Sequence, residues 1–417
     1  IKYHLEKAFY IALEGRPGPV LIDIPDDLQR SIIDEKELKS FKPEPLNKNE
    51  VNLVKNVEEV VRSLELAKRP VLVVGGGLKT PDISETLDQL YAKLSIPVLT
   101  TWAGLDLIDY NNVLNCGTFG VYGSRLGNLI IQNSDFILVL GSRLSQNMTG
   151  GILPAFAREA KIFMVDNDKG ELDKFDGRGI EISNKIETNL SDFTFLLKKT
   201  LSKQNLTKKN KWFDIIKNWK SDLNKSFEKL NNNEIKMIDA ENFVKILSEY
   251  IPLNCHIFVD TGGNLTWTCN NIKIKKGQKL FSSWNHTPMG YSLPASIGAA
   301  IGNPEKDFLC VIGDGGLMLC LGELATVAKQ NLSIKIFLFN NRSHGIQKQT
   351  LDTWLEGRKV CVDGGSGLSF PNDWEKVVKS LGLKVVNIIN NNNIDISLKK
   401  VFKIRGPVFV NVEINED

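Results

Sequence analysis

The sequence predicts an α/β protein made of consecutive doubly wound parallel-sheet domains. Short, almost wholly apolar runs recur along the chain, and such runs are typical of strands buried on both faces of a parallel sheet. Stretches with apolar residues at helical spacing separate them, and this alternation predicts strand–helix–strand units. With 417 residues, the chain is long enough for more than one such domain.

The first segment, residues 1–30, combines a helical pattern at Tyr3–Leu13 with the apolar run Val20–Pro25, which we predict to be a strand. Residues 31–45 are predicted to be a linker. Residues 46–200 are predicted to form a middle, Rossmann-like domain. Its strands are expected at Pro70–Gly77, Pro97–Thr101, Phe136–Gly141 and Lys161–Asp166. The glycines of this domain, Gly75–Gly77, do not have the GxGxxG spacing, so they are only a weak indication of a dinucleotide site.

Residues 201–236 are predicted to be a lysine-rich helical linker. Clustered lysines can mark a nucleic-acid surface. Here a separate apolar face favours a solvated helix instead, and we expect no nucleic-acid partner. That face consists of Trp212, Phe213, Ile216 and Trp219.

Residues 237–417 are predicted to be the ligand-binding domain, closed by a last strand at Gly406–Glu413. The apolar run Phe308–Ile312 leads into the glycine-rich loop Gly313–Gly316. A helix is expected from Leu317 to Ala328, and a second strand, Ile334–Phe339, ends at an Asn-Asn pair. Ligands of open α/β sheets bind beyond the carboxyl ends of such strands.

The two ends of this unit carry oxygen ligands suited to Mg²⁺. Asp314 has a carboxylate, Asn341 has an amide oxygen, and the following turn has a backbone carbonyl; Mg²⁺ usually takes one or two protein ligands and completes its shell with phosphate and water. The alternative is that these are only turn residues.

The spacing of the two motifs, 341 − 314 = 27 residues, resembles the signature of the thiamine diphosphate enzymes. The resemblance implies that Asp314, the Asn341 side chain and the Ser343 carbonyl hold Mg²⁺, which holds the diphosphate. It also implies cofactor contacts from Gly313, Gly315, Gly316, His344, Gly345 and Ile346.

Two further blocks carry the same resemblance. In Trp284–Ala300, Met289 matches the bulky residue that bends the cofactor, and its N–H and the Thr287 carbonyl would meet the aminopyrimidine. The alternative for Met289 is a side chain that fills a gap in the core. In Phe258–Trp267, the resemblance implies diphosphate contacts from Gly262, Gly263 and Asn264.

Across nearly the whole chain, the sequence resembles the acetolactate synthase-like branch of that family. The implied activity is decarboxylation of a 2-keto acid, with pyruvate favoured, followed by carboligation. The implied assembly is a homodimer or homotetramer. The middle-domain crevice binds FAD in acetolactate synthases and a different nucleotide or nothing in other relatives; these alternatives stay open. The loops Gly120–Gly123 and Gly141–Arg143 are expected along this crevice.

Residues 1–30 resemble the end of a pyrimidine-binding domain, so we expect the catalytic glutamate upstream of Ile1 and leave the catalytic residue of this sequence unknown. Glu323 is interpreted as structural. His286 and His344 flank the expected cofactor and are candidates for proton transfer, although most single histidines have no such role.

The sequence departs from this branch at positions that determine substrate specificity in the relatives. Asn147 stands where relatives usually carry an arginine that binds the second keto acid, and Thr350 stands where they carry a tryptophan. Arg358 is either a replacement for that arginine or an exposed side chain. Two alternatives therefore stay open, a decarboxylase without ligation and a non-catalytic, cofactor-binding subunit.

Composition adds limits to these expectations. The net charge of +3 indicates no particular partner. The six cysteines form no CxxC pair, which favours reduced thiols and a cytoplasmic location. No apolar stretch is long enough to cross a bilayer, so no membrane partner is expected.

Overall fold

The computed structural model describes residues 1–43, 50–84, 86–203, 206–231 and 238–414. These residues form two parallel sheets of six strands each, covered by helices on both faces. The predicted α/β class with consecutive doubly wound sheets is confirmed. The predicted boundaries at residues 45/46 and 236/237 lie outside the described residues.

The first sheet has the strand order β3-β2-β1-β4-β5-β6, and all its pairs are parallel. Its order reverses between β1 and β4, so the loops after these two strands border a crevice. The strands are β1 Pro70–Val74, β2 Val98–Thr100, β3 Asn115–Thr118, β4 Phe136–Leu140, β5 Lys161–Asp166 and β6 Ile182–Glu187.

The helices up to the end of this unit vary widely in length. They are α1 Lys2–Leu13, α2 Asp26–Arg30, α3 Glu50–Leu66, α4 Pro81–Ser84, α5 Leu87–Leu94, α6 Arg125–Asn133, α7 Gln146–Thr149, α8 Lys169–Asp173, α9 Leu190–Leu201 and α10 Asn210–Asn231. Short 3₁₀ turns occur at Gly76–Leu78, Trp102–Leu107 and Leu153–Ala155.

The second sheet has the order β11-β12-β10-β9-β7-β8 and is also parallel throughout. Its order reverses between β7 and β9. The strands are β7 Cys255–Val259, β8 Lys279–Phe281, β9 Asp307–Gly313, β10 Ile334–Asn340, β11 Val385–Ile388 and β12 Val408–Glu413.

Eight helices accompany the second sheet. They are α11 Ala240–Tyr250, α12 Gly263–Asn271, α13 Ser292–Gly302, α14 Asp314–Leu319, α15 Glu323–Lys329, α16 Gly345–Trp354, α17 Trp374–Ser380 and α18 Ile394–Lys403. Further 3₁₀ turns occur at Gly364–Ser366 and Asn391–Asn393.

Both sheets are buried on both faces, as the apolar runs predict. In β9, Leu309 and Val311 contribute to one core, whereas Phe308, Cys310 and Ile312 contribute to the core on the opposite face. Successive side chains of a strand point to opposite faces, so a strand covered on both sides must be apolar at nearly every position.

The lysine-rich helix α10 packs on the first sheet through its predicted apolar face. Trp212 is fully buried, and its Nε1–H donates to the Pro70 carbonyl at 3.2 Å. Trp219 lies edge-on against Trp212. Within the predicted segment 201–236, residues 210–231 are therefore helical, and the N-terminal half of this helix packs on the first sheet.

Two expectations about secondary structure are wrong. Val20–Pro25 is extended but is not a strand, since no described segment pairs with it and Leu21 is 95% exposed. The helix predicted from Leu317 to Ala328 is two helices, α14 and α15. The Cys320 N–H donates to the Leu317 carbonyl at 3.0 Å, which tightens the chain, and Gly322 is a poor residue for a helix interior.

A buried ion pair is one of the contacts that hold the two units together. The side chain of Asp106 is 1% exposed, its Oδ1 lies 2.6 Å from Lys79 Nζ, and its Oδ2 accepts the Leu280 N–H at 3.1 Å. Lys79 also donates to the Leu280 carbonyl at 3.1 Å. Asp106 and Lys79 belong to the first unit and Leu280 to β8, so this contact fixes the edge of the second sheet to the first unit.

In the described residues, no helix is long and apolar enough to cross a membrane.

We expect Asp106→Ala to lower the free energy of unfolding by about 2–4 kcal/mol, since it leaves the Lys79 charge and the Leu280 N–H without their acceptor. Urea unfolding followed by tryptophan fluorescence measures this loss. The matched control is Asp88→Ala, which breaks the exposed ion pair to Lys276 (2.8 Å) between the same two units and should cost less than about 1 kcal/mol. Equal losses in both variants would contradict the assignment.

Candidate functional site

The loops after β7, β9 and β10 meet at the point where the strand order of the second sheet reverses. β7 and β9 are neighbours there, and β10 lies next to β9. The first residues after these strands are Asp260, Asp314 and Asn341, respectively, and Asp314 also begins α14. Because the carboxyl ends of parallel strands share one edge of a sheet, three segments far apart in sequence form one site.

Asp314 is the buried centre of this site. It is 2% exposed, its Oδ1 accepts the Gly315 N–H at 2.7 Å, and its Oδ2 accepts the Arg342 N–H at 2.5 Å. Arg342 has a φ of +52°, a left-handed conformation that is uncommon for a residue with a side chain. The contact ties the loop after β9 to the turn after β10.

Burial raises the pKa of the Asp314 carboxyl to about 6. Backbone N–H groups of Gly315 and residues 341–343 act in the opposite direction, because they stabilise the carboxylate. In the described part of the chain, no lysine, arginine or histidine forms an ion pair with Asp314. This carboxylate is therefore suited to a cation that the chain itself does not supply.

The turn after β10 brings further oxygen atoms to the site. Asn341 and Ser343 are buried, and the Ser343 Oγ and the Oδ1 of Asn340, the last residue of β10, have no hydrogen-bond partner among the described residues. Ser343 pairs with Asp363 in an antiparallel bridge, and the His344 N–H donates to the Val362 carbonyl at 2.7 Å. These two contacts with residues 362 and 363 hold the turn in place.

No group of three or more histidine, cysteine, aspartate or glutamate side chains that could bind a metal occurs among the described residues. A cation at Asp314 would therefore take one carboxylate together with amide and carbonyl oxygens. This donor set suits Mg²⁺ that keeps phosphate and water ligands.

The glycines of the loop leave room that a side chain would fill. A Cβ on Gly315 would lie 2.6 Å from His344 Nε2 and 3.0 Å from Met289 Cε. His344 precedes Gly345 and Ile346, which begin α16. The structure therefore brings the predicted residues of three sequence blocks together around Gly315.

The segment before α13 reaches this loop in a strained conformation. Trp284 and Thr287 have φ values of +49° and +40°, which are rarely adopted by bulky or β-branched residues. Such strain persists only where surrounding structure imposes it, and it often marks a binding site. Met289 is 37% exposed, so it does not fill a gap in the core.

The loop after β7 meets Gly313 from the other side. Asn264 is buried, its Nδ2 donates to the Asp260 carbonyl at 2.8 Å, and its Oδ1 lies 3.2 Å from where a Cβ of Gly313 would be. A Cβ on Gly263 would lie 2.7 Å from the Trp267 ring, so a side chain at this position would require the Trp267 ring to move. Gly262, with a φ of +104°, makes the turn.

Asp260 is a residue of this site for which the sequence predicted no role. It lies within the block Phe258–Trp267, and it is completely buried between the segments described above. The signal in the sequence was an acid at the end of an apolar run with the glycines Gly262 and Gly263 two residues later, which is similar to the pattern around Asp314.

The first unit contributes a cavity of about 680 Å³. Gly76, Gly77 and the loop Gly141–Arg143 line it, together with Trp284–His286 from the second unit. The cavity therefore extends from the crevice of the first sheet to the strained segment. The glycines also allow close backbone packing, because a Cβ on Gly75 would lie 2.4 Å from the Gly141 carbonyl oxygen.

The loop Gly120–Gly123, which was expected along this crevice, packs against residues of the cavity wall and does not itself line the cavity. The loop packs behind Asn147, whose carbonyl accepts the Val121 N–H at 2.8 Å. Gly120 approaches that carbonyl so closely that a Cβ would lie 2.3 Å from its oxygen. Its glycines are explained by this close contact, whereas Asn147 itself lines the cavity.

The remaining predicted substrate residues are exposed. Thr350 lies on α16 and its Oγ1 donates to the Ile346 carbonyl at 2.9 Å. Arg358 is directed to solvent, where it pairs with Glu356 at 3.2 Å. His286 lines the cavity, and Glu323 lies on α15, not on the helix that begins at the glycine loop.

Comparison with known proteins agrees with this arrangement. A family model described as the C-terminal TPP binding domain of thiamine pyrophosphate enzymes matches residues 260–412, and the central domain of the same enzymes matches residues 57–192. The first match begins at Asp260 and contains all the loops of the site.

Curated relatives carry acetolactate synthase names. The chain is 29% identical to a probable acetolactate synthase large subunit of Methanococcus aeolicus (98% of this chain, 69% of the relative). It is 30% identical to a protein of the same name from Methanocaldococcus jannaschii (98% and 68%). It is 27% identical to the acetolactate synthase isozyme 1 large subunit of Escherichia coli (99% and 70%).

We expect the buried Asp314 carboxylate to destabilise the metal-free protein as the pH rises. The folded-state pKa of about 6 lies above the ordinary aspartate value of 3.8, so the penalty is absent below pH 4 and complete above pH 6. Relative to Asp314→Asn, the wild-type free energy of unfolding should therefore fall by about 1–3 kcal/mol across this range. Urea unfolding in chelator at several pH values tests this, and parallel pH profiles would refute it.

Proposed function

Because the chain belongs to the thiamine pyrophosphate enzymes, in their acetolactate synthase-like group, we propose that it binds thiamine diphosphate with Mg²⁺ and decarboxylates a 2-keto acid with carboligation. Pyruvate is the favoured substrate. The observation that carries this proposal is the convergence of Asp314, the turn after β10 and the Met289 segment at one edge of the second sheet.

Asp314, the Asn341 side chain and the Ser343 carbonyl hold Mg²⁺ in this proposal. Asp314 is buried without a cationic partner among the described residues, and it already faces the backbone of the turn that carries the other two ligands. A divalent cation would favour the ionised carboxylate and so offset the effect of burial. Gly313, Gly315 and Gly316 admit the diphosphate close to the backbone, while Gly262, Gly263 and Asn264 border it from β7.

Met289 and Thr287 contact the aminopyrimidine in this proposal. Met289 Cε lies close to the glycine loop, so its side chain stands directly beside the space assigned to the diphosphate. A ligand with a diphosphate at one end and an aromatic ring at the other must then bend around Met289. His344, Gly345 and Ile346 close the same space from the start of α16.

When bound, thiamine diphosphate supplies the carbon nucleophile that takes up the 2-keto acid and releases its carboxyl group as CO₂. The chain holds the reacting parts in place, and His344 Nε2, which lies beside Gly315, is the candidate to exchange a proton there. His286 lines the cavity that leads to the same segment, so it is suited to meet the substrate from the cavity.

The carboligation step, which needs a binding site for an acceptor substrate, has less support in the structure than the decarboxylation step. Arg358 does not compensate for Asn147, because it pairs with Glu356 in solvent. In the cavity wall, Arg143 is already bound to Glu171 at 3.3 Å. A decarboxylase without ligation is therefore the second candidate, and a cofactor-binding subunit without catalysis is the third.

FAD is our candidate ligand for the cavity of about 680 Å³, because the crevice lies at the strand-order reversal of the first sheet. The absorbance spectrum of the purified protein tests it, since bound flavin is yellow.

Assembly into at least a homodimer is also part of the proposal. Exposed apolar side chains surround the site and would be covered by a second copy; they are Met289, Met318, Leu319, Trp354 and Leu355. A cytoplasmic location is proposed from the cysteines, which are all free.

Asp314→Ala should abolish Mg²⁺-dependent binding of thiamine diphosphate, because it removes the only charged ligand assigned to the cation. Isothermal titration calorimetry measures the affinity. The control is Glu323→Gln on the neighbouring helix α15, which should bind like the wild type. Unchanged affinity in Asp314→Ala would refute the metal assignment.

With thiamine diphosphate, Mg²⁺ and pyruvate, we expect the protein expressed from its complete reading frame to form acetolactate and CO₂ from two molecules of pyruvate. NMR of the reaction mixture identifies the products. Acetaldehyde as the only organic product would favour the decarboxylase without ligation. Binding of the cofactor without any turnover of pyruvate or longer 2-keto acids would favour the non-catalytic subunit.

A further inference from the structure

Asp260 is a buried carboxylate to which the proposed function assigns no contact with the cofactor. It follows β7 directly, at the reversal of strand order, and it is 0% exposed. Burial raises the pKa of its carboxyl, and in the described residues no ion pair compensates its charge. A carboxylate in such surroundings is stabilised by backbone N–H donors, and the identity of these donors indicates what it does.

One set of donors comes from the Met289 segment. Asp260 Oδ1 accepts the Gly290 N–H at 3.0 Å, and Oδ2 accepts the Ser292 N–H at 2.8 Å. The Gly290 N–H belongs to the same planar peptide group as the Met289 carbonyl. The hydrogen bond therefore fixes the orientation of the peptide group next to the Met289 Cα, and this orientation restricts the direction of the Met289 side chain.

The same carboxylate packs against the glycine loop. A Cβ on Gly316 would lie 2.7 Å from Asp260 Oδ1, so the loop approaches the oxygen that also holds Gly290. A Cβ on Gly290 would in turn lie 3.1 Å from the Gly316 carbonyl oxygen. The Met289 segment and the glycine loop border opposite ends of the proposed cofactor, and both contact the side chain of Asp260.

We propose that Asp260 is a positioning residue that holds the Met289 segment at a fixed distance from the Gly313–Gly316 loop. This inference rests on the proposed function. A ligand that has both a diphosphate and an aminopyrimidine then gains affinity from both ends, because neither segment must be ordered on binding. A ligand that has only the diphosphate does not use this spacing.

The test compares two ligands on Asp260→Asn. An asparagine has one acceptor oxygen instead of two, so one backbone N–H, of Gly290 or Ser292, faces an NH₂ group and is left unpaired. We expect the affinity for thiamine diphosphate with Mg²⁺ to fall roughly 10- to 100-fold. The affinity for inorganic pyrophosphate with Mg²⁺ should stay within about twofold of the wild type. Calorimetry on the protein from its complete reading frame measures both affinities.

Ser292→Ala is the milder variant, and it decides the question if Asp260→Asn does not fold. It removes the Ser292 hydroxyl, which also donates to Asp260, and leaves the carboxylate in place. We expect a loss of about two- to fivefold for thiamine diphosphate and none for pyrophosphate.

The matched control is Asp135→Asn. Asp135 accepts the N–H groups of Lys68 and Arg69, both at 2.8 Å, at the opposite end of the first sheet. This substitution removes the same chemical group from a carboxylate with two backbone donors. It should lower the melting temperature without changing either affinity.

Equal loss of both ligands in Asp260→Asn, or no loss of either, would overturn the positioning role while leaving the proposed function intact. A wild-type protein that binds pyrophosphate and thiamine diphosphate equally well would also overturn it. A wild-type protein that binds neither ligand would overturn the proposed function, and the inference with it.

Discussion

The site depends on two carboxylates that are buried without ion pairs among the described residues and are stabilised by backbone N–H groups. Asp260 and Asp314 are 0% and 2% exposed, and each accepts donors from a segment that follows a different strand. A buried charge is tolerated only when its hydrogen bonds are nearly complete, so these contacts fix the relative positions of the four segments that follow β7, β8, β9 and β10. Glycine is required around them because the backbones approach the carboxylates directly, as at Gly316.

The two sheets share a topology but use the reversal of strand order differently. In the first sheet, the loops after β1 and β4 come into backbone contact at Gly75 and Gly141 and border an open cavity. In the second sheet, buried polar side chains occupy the space beyond the strand ends at the reversal of strand order. The ion pair between Lys79 and Asp106 joins the first unit to β8, which leads into the strained segment before Met289. The strand that precedes this segment is therefore in direct contact with the first unit.

Much of the fold was predictable because strands buried on both faces must be apolar. The expected strands at Phe136–Gly141, Lys161–Asp166 and Ile334–Phe339 differ from the observed ones by at most one residue. Val20–Pro25 has a similar apolar composition, but none of the described residues pairs with it, and composition alone does not reveal whether a partner strand exists. The interruption at Cys320 was missed because apolar spacing continues across it, whereas the path of the backbone depends on local hydrogen bonds.

The sequence by itself determined the α/β class, the family resemblance and the block of residues around Asp314. It did so because a ligand held at strand ends requires particular residue types at a restricted spacing. Only the tertiary structure decided that Asp260 supports both Met289 and Gly316, that Gly120–Gly123 lies behind Asn147, and that Arg358 points to solvent. These facts depend on which segments meet across the sheet, and hydrogen bonds between residues far apart in sequence leave no periodic pattern in either segment.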